Sequence, residues 1–176
     1  MEIKIVKNEG ALVPKKATKG AAAYDVYVPE DVVIKKGRQI VSLKLIMAVP
    51  EGYEADIEPR SGFSAKGMEG YHVVDQVVQP YTPGTVFITP DDGRLYWSDK
   101  ADRFDADVIE GKIDSDYRGE IGVIIKSCDD RMFGLKRGTR IAQLTIYKVE
   151  DVEFKEFEKL SETDRGDGGF GHTGSN

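Results

Sequence analysis

Cysteine is all but missing from this chain. Cys128 is the only one, so no intrachain disulfide can form, and a reducing compartment, the cytoplasm, is the expected setting. Histidine is nearly as scarce: His72 and His172 stand alone, away from any Cys/His cluster, which argues against a structural zinc site. No apolar run approaches the roughly 18–20 residues of a membrane span. Met1 leads into charged Glu2-Ile3-Lys4, so no signal peptide is expected. Positive charge is in deficit, with 25 Lys and Arg against 31 Asp and Glu and a net charge of −6. That balance argues against nucleic acid or an anionic membrane as partner and leaves room for a local basic site for a small anion. Strong helix formers are few as well. Leu and Ala total 18 against 31 Val and Ile, and Gly, at 19 of 176 residues, exceeds the usual share of about 7%. Branched residues with many glycines imply short strands and tight turns, hence a mostly β domain.

The hydrophobic pattern agrees. Glu2 to Val6 alternates as a first strand; Val32 to Ile34 and Arg38 to Val49 follow, with Lys36-Gly37 as the turn between them. Pro50-Glu51-Gly52 ends that run. Tyr53 to Glu58 alternates cleanly, with Tyr53, Ala55 and Ile57 on one face and Glu54, Asp56 and Glu58 on the other. Ile121 to Ser127 and Thr139 to Tyr147 are two more strands, joined by a Gly134–Gly138 loop. Ser64 to Met68 is expected as one short helix after a Ser61-Gly62 turn. Between residues 75 and 107 the character changes. Two aromatic-aliphatic runs, Val86-Phe87-Ile88 and Leu95-Tyr96-Trp97, flank Pro90-Asp91-Asp92-Gly93 and predict a β-hairpin. Residues 164–176 carry five glycines and little to bury, and are expected to form a tail that is mobile when nothing is bound.

Several short motifs offer chemistry, each with a plainer alternative. Gly166-Asp167-Gly168-Gly169-Phe170-Gly171 matches G-x-G-x-x-G, but a dinucleotide loop needs a preceding strand and a following helix. The alternatives are a loose tail or a flap that orders over an anion, with glycine amides and Arg165 on phosphate and Phe170 free to stack. Asp114-Ser115-Asp116-Tyr117-Arg118-Gly119 looks superficially like a calcium loop, but Arg118 and Ile125 occupy positions that need oxygen ligands. Asp114 follows apolar Ile113 near a strand end, where a carboxylate can be held for work on a ligand. Pro59-Arg60-Ser61-Gly62 follows a strand. Its guanidinium, hydroxyl and amides suit a phosphate, although a solvated turn has the same composition.

The order of the motifs carries more than each alone. Ala21-Ala22-Ala23-Tyr24-Asp25-Val26, Pro59-Arg60-Ser61-Gly62-Phe63-Ser64-Ala65, Gly111-Lys112-Ile113-Asp114-Ser115-Asp116-Tyr117-Arg118-Gly119-Glu120, Gly138-Thr139-Arg140-Ile141-Ala142-Gln143-Leu144 and Arg165-Gly166-Asp167-Gly168-Gly169-Phe170-Gly171-His172-Thr173-Gly174 occur in that sequence. Together they resemble the five motifs of the trimeric dUTP pyrophosphatase (dUTPase) family. The resemblance implies a jelly-roll-like (β-clip) β subunit spanning residues 1–163 with a flexible tail over 164–176, in a homotrimer with shared active sites. It implies hydrolysis of dUTP to dUMP and pyrophosphate, with Mg2+ on the triphosphate. Carried over, Asp114 is the base for the attacking water, and Tyr117 lies under the deoxyribose and excludes a 2′-hydroxyl. Main chain at Gly111, Lys112, Ile113, Asp114 and Gly122 reads the uracil edge. Arg60, Ser61 and Gly62 bind the phosphates with Gln143 nearby, and Asp25 supports the metal indirectly, through water. Phe170 closes over uracil, while Arg165, Gly171 and Thr173 meet the phosphates. Ala23, Phe63-Ser64 and His172 depart from the usual pattern, and residues 75–107 are expected to be an insertion. Two rivals are a dCTP deaminase-like enzyme, which needs a glutamate where Ile124 stands, and a non-catalytic nucleotide-binding regulatory trimer.

Overall fold

The computed structural model describes residues 1–73 and 97–168. In chain order its strands are β1 (Lys4–Lys7), β2 (Tyr24–Tyr27), β3 (Val32–Ile34), β4 (Gly37–Ala48), β5 (Tyr53–Glu58), β6 (Met68–His72), β7 (Asp102–Phe104), β8 (Ala106–Ile109), β9 (Gly111–Ile113), β10 (Glu120–Ser127), β11 (Phe133–Leu135) and β12 (Arg140–Lys148), with one helix, α1 (Ser61–Lys66). They form three antiparallel four-stranded sheets, ordered β1-β4-β10-β8, β3-β11-β6-β7 and β2-β12-β5-β9. The branched residues explain the arrangement. Val41, Leu43, Leu45 and Met47 of β4 and Ile121, Val123 and Ile125 of β10 are buried at every second position. Phe104 and Phe133 stack with ring centroids 4.3 Å apart at the centre of the same core.

Expectation and structure differ at the short elements. The helix starts at Ser61, three residues before the expected Ser64, because Arg60 already serves as its extended N-cap. Gly134, expected in a loop, is the middle of β11, and a side chain there would run into the Trp97 ring. The end of the expected insertion, residues 102–107, belongs to the framework. β7 pairs with β6, Ala106 and Asp107 pair with β10, and Phe104 is buried. The hairpin expected around Pro90-Asp91-Asp92-Gly93 lies outside the described residues apart from Trp97, which bridges to Val73 and donates its indole N–H to Asp31 Oδ2 at 3.3 Å.

Strand β4 carries a bulge. Glu120 pairs with Ile46 but Gly122 pairs with Ser42, so β4 holds two more residues than β10 over that stretch. Lys44 sits in the bulge at φ 54, a left-handed conformation that costs a side-chain-bearing residue about 1–2 kcal/mol. Its surroundings offset that cost. The Lys44 ammonium lies 2.6 Å from Glu30, its carbonyl accepts from the Asn8 amide, and its own amide donates to Ser42 Oγ. Ser42 Oγ in turn donates to Glu120 Oε2 at 2.6 Å, and Asn8 Nδ2 donates to the other oxygen. These two donors hold the Glu120 carboxyl below its usual range.

Candidate active site

The sheet β2-β12-β5-β9 positions the site. Its inner face is apolar, with Ala55, Ile57, Ile113 and Leu144 buried. Register partners share a face, so its outer face carries Asp25, Gln143 and Glu58 in one row, Lys112, Asp56 and Thr145 in the next, and Glu54 and Tyr147 in a third. Thr145 Oγ1 and Tyr147 Oη donate to the two oxygens of Glu58 at 2.9 and 2.8 Å.

One half of the site lies where β5 ends. Arg60 is extended and follows Pro59 into α1. The amides of Phe63 and Ser64 close onto the Arg60 carbonyl, which leaves those of Ser61 and Gly62 without intrahelical partners. The Arg60 guanidinium packs over the Phe63 ring, 4.9 Å from its centroid, and donates to the Arg140 carbonyl. Behind it Asp25, only 3% exposed, faces Arg60 at 3.5 Å and Arg140 at 3.4 Å. Burial, and then Arg140, pull the Arg60 guanidinium below its ordinary pKa. Two cations face one buried carboxylate beside a cavity of about 260 Å3, and the other acid lining that cavity, Glu69, is paired with Arg103 at 2.8 Å, which leaves the corner able to accept an anion. Sequence reasoning singled out Arg60 and Asp25 and passed over Arg140, which sits inside the fourth motif and was legible there.

The other half is built from β9, β10 and the loop between them. A cavity of about 330 Å3 is walled by Gly111, Ile113, Tyr117 and Gly122, with Ile40 and Ile124 also lining it. Two glycines permit it. A side chain at Gly119 would meet the Tyr117 hydroxyl at 2.3 Å, and one at Gly122 would meet Ile40 Cγ2 at 2.4 Å. The Tyr117 hydroxyl donates to the Glu120 carbonyl at 3.0 Å, and the Tyr117 amide to the Asp114 carbonyl, so the loop is tied to itself with the ring half exposed. Asp114 is exposed just beyond Ile113. The Lys112 ammonium points to the outer face, onto Glu54 and Asp56, so only its main chain belongs to the cavity wall.

These halves do not meet on one chain. Asp114 lies beside Glu54, at the start of β5, and Arg60 lies past its end. Gln143 is half-buried beside Asp25 and belongs with Arg60. Arg165 is exposed and donates to the Gly168 carbonyl within a local turn. Phe170, Gly171 and Thr173 lie outside the described residues. Among the described residues no group of three or more His, Cys, Asp or Glu is placed to hold a metal. Asp25 has its carboxylate turned to two arginines, which fits an ion carried by phosphates and its own waters and does not fit direct ligation.

An arginine corner, a glycine-walled pocket and an exposed carboxylate next to it in sequence, on a jelly-roll-like β framework, are the features a nucleoside phosphate would need. The dUTPase family model matches residues 9–89 and 101–174, and the chain belongs to the dUTPase family. The interruption in that match, residues 90–100, is shorter than the insertion expected from the sequence. Deoxyuridine 5'-triphosphate nucleotidohydrolase of Nautilia profundicola is 39% identical over 176 residues, covering 99% of each chain. That of Fusobacterium nucleatum is 34% identical over 177 residues, covering 99% of this chain and 97% of its own. Among solved structures, the dUTPase of Staphylococcus bacteriophage 80alpha with dUPNHPP shares the fold at a TM-score of 0.70, with 24% identity over 99% of both chains. A mutant dUTPase of phage phi11 of S. aureus, whose structure addresses a structural Mg(II) ion, has a TM-score of 0.61 at 21% identity.

Proposed function

We infer that this chain hydrolyses dUTP to dUMP and pyrophosphate, as the names of its relatives state for them. The observation that carries the inference is the pocket walled by Gly111, Gly122 and Tyr117, with the exposed carboxylate-bearing Asp114 one residue past its Ile113 wall. In it, main chain from Gly111 to Asp114 and at Gly122 reads the uracil edge. Tyr117 lies against the deoxyribose and leaves no room for a 2′-hydroxyl. Asp114 takes a proton from water as that water attacks the α-phosphorus in line. The bond from the α-phosphorus to the bridging oxygen breaks, and pyrophosphate leaves. Arg60, the Ser61 and Gly62 amides and Gln143 bind the phosphate chain, with Arg165, Phe170, Gly171 and Thr173 of the tail closing over the nucleotide. Bound magnesium would supply charge neutralisation on the phosphates, and Asp25 would support it indirectly, through water.

The same geometry supports sites shared between copies, which we place in a homotrimer. Continuing the β5–β9 register puts Asp114 opposite Glu54, and the extended chain from there to Arg60 spans about 20 Å. A triphosphate is far shorter, so the base and the phosphate arginine that act on one nucleotide come from different copies. The segment after β12 supports this, since Phe154 and Leu160 are 93% and 80% exposed on a single chain. The reducing cytoplasm is the compartment we propose. A deaminase has less support: Ile124 is an apolar wall of the pocket, and Glu120 is committed to Ser42 and Asn8. Pyrophosphate release from dUTP, dCTP, dTTP and UTP, in magnesium and then with EDTA, tests the reading. Release from dUTP alone, lost in EDTA, is expected; ammonia from dCTP, or no turnover of any of the four, overturns it.

A further inference from the structure

β9 is three residues long, pairs among the described residues with β5 alone, and lies at the edge of its sheet there. It nevertheless carries one wall of the pocket and leads directly into Asp114. A three-residue edge ladder holds its position poorly by main-chain bonds alone. Lys112 adds a side-chain staple. Its ammonium lies 2.8 Å from Glu54 Oε1 and 3.1 and 3.2 Å from the two oxygens of Asp56. Asp56 stands directly across the ladder and is only 4% exposed, so its carboxylate depends on that cation. Glu54 stands one row further along, beside Asp114 in the same cleft.

We propose that Lys112 is a positioning residue for the Asp114 base: it pins β9 to β5 and draws the Glu54 carboxylate away from Asp114. The proposal rests on Asp114 acting as the base. The charges around Asp114 make the coupling explicit. In the cleft that Asp114 lines, β5 and the turn before it present Glu51, Tyr53 and Glu54, and the segment after β12 presents Asp151; Lys112 on β9 precedes Asp114 and reaches Glu54, and Asp116 and Arg118 follow in the loop. Acids dominate this surround, and on β5 and β9 Lys112 is the cation that offsets them. Glu54 and then Asp56 hold the lysine well above its ordinary pKa, so it stays charged wherever the enzyme works. Without it, Glu54 and Asp56 stand unpaired, and a neighbouring carboxylate resists ionisation.

The test is the dependence of kcat on pH for dUTP in full-length Lys112→Met, Lys112→Arg, Lys112→Met/Glu54→Gln and Glu54→Gln. In Lys112→Met the acid limb is expected to rise by about one unit, a roughly tenfold loss of kcat on that limb. The limb returns towards the parent position in Lys112→Arg and in the double variant. In Glu54→Gln alone it falls, which reads the same coupling should Lys112→Met not fold. A lower melting temperature in Lys112→Met with an unmoved acid limb, or an unmoved limb in Glu54→Gln, overturns the proposal. Asp114→Asn, measured alongside, keeps the two ideas apart: normal turnover in that variant removes Asp114 as base, whatever Lys112 does.

Discussion

Asp114 and Arg60 stand at opposite ends of one strand, β5, the first beside Glu54 and the second just past Pro59. That separation gives a direct test of the proposed shared sites. Asp114→Asn and Arg60→Ala proteins are each expected to be nearly inactive. Unfolded together in equal amounts and refolded, they form mixed trimers in which about one quarter of the sites pair an intact Asp114 with an intact Arg60. Activity near that fraction of the parent enzyme supports sites built between copies. A mixture as inactive as its components places both groups in one chain's site.

Taken singly, Asp114→Asn keeps the size of the side chain and removes the base. It is expected to lower kcat by at least about 100-fold while KM for dUTP changes little. Steady-state kinetics with a pyrophosphate readout decide this, and near-parental turnover removes Asp114 from the mechanism.

Gly119 leaves space for the Tyr117 hydroxyl, so Gly119→Ala displaces the ring that we propose discriminates at the 2′ position. The ratio of kcat/KM for UTP to that for dUTP is expected to rise about tenfold, within the range of one or two lost contacts. An unchanged ratio shows that the ring is not what excludes the ribonucleotide.

Removing residues 164–176 is expected to leave a folded trimer with little activity, because Arg165, Phe170 and Thr173 leave with them. Size-exclusion chromatography and turnover, measured on the same sample, check both halves of the expectation. Full activity shows that the tail does not close the site.

Asp129 supplies a pH-dependent contribution far from the site. Arg131 approaches one of its oxygens through NH2 at 2.8 Å and the other through Nε at 3.0 Å, and this holds the carboxyl far below its usual range. A depressed acid contributes stability above its unfolded pKa, near 4, and that stability is lost as pH falls through the folded value. Asp129→Asn should therefore lower the melting temperature by roughly 2–6 °C at pH 7, with a gap that narrows progressively below about pH 4. A gap that stays constant down to pH 2 contradicts the pairing.

Long strands were legible because their pattern has room to repeat. Tyr53–Glu58 and Val32–Ile34 fall at the expected residues, and the strands at 37–48, 120–127 and 140–148 within one residue of them. Of the three-residue strands only β3 was legible, from its unbroken Val32-Val33-Ile34 run; β7, β9 and β11 were not. In β7 two of three residues are charged, and β9 and β11 each contain a glycine, so no alternation exists to detect. Their pairing is set by neighbours distant in sequence. At the site, the ordered motifs marked Asp25, Arg60, Asp114 and Tyr117. The partner of Asp56 was not visible: a lysine beside glycine in a motif gives no sign that its ammonium crosses to another strand.

The Lys112–Glu54–Asp56 staple also bears on how this enzyme can vary. Three positions, two of them more than fifty residues from the third, share a single charge balance. Drift at any one is constrained by the other two: an apolar residue at 112 costs least once 54 and 56 have lost their acids. Among relatives these sites should exchange as a set, and a chimera that takes β9 from one lineage and β5 from another should be the construction that fails.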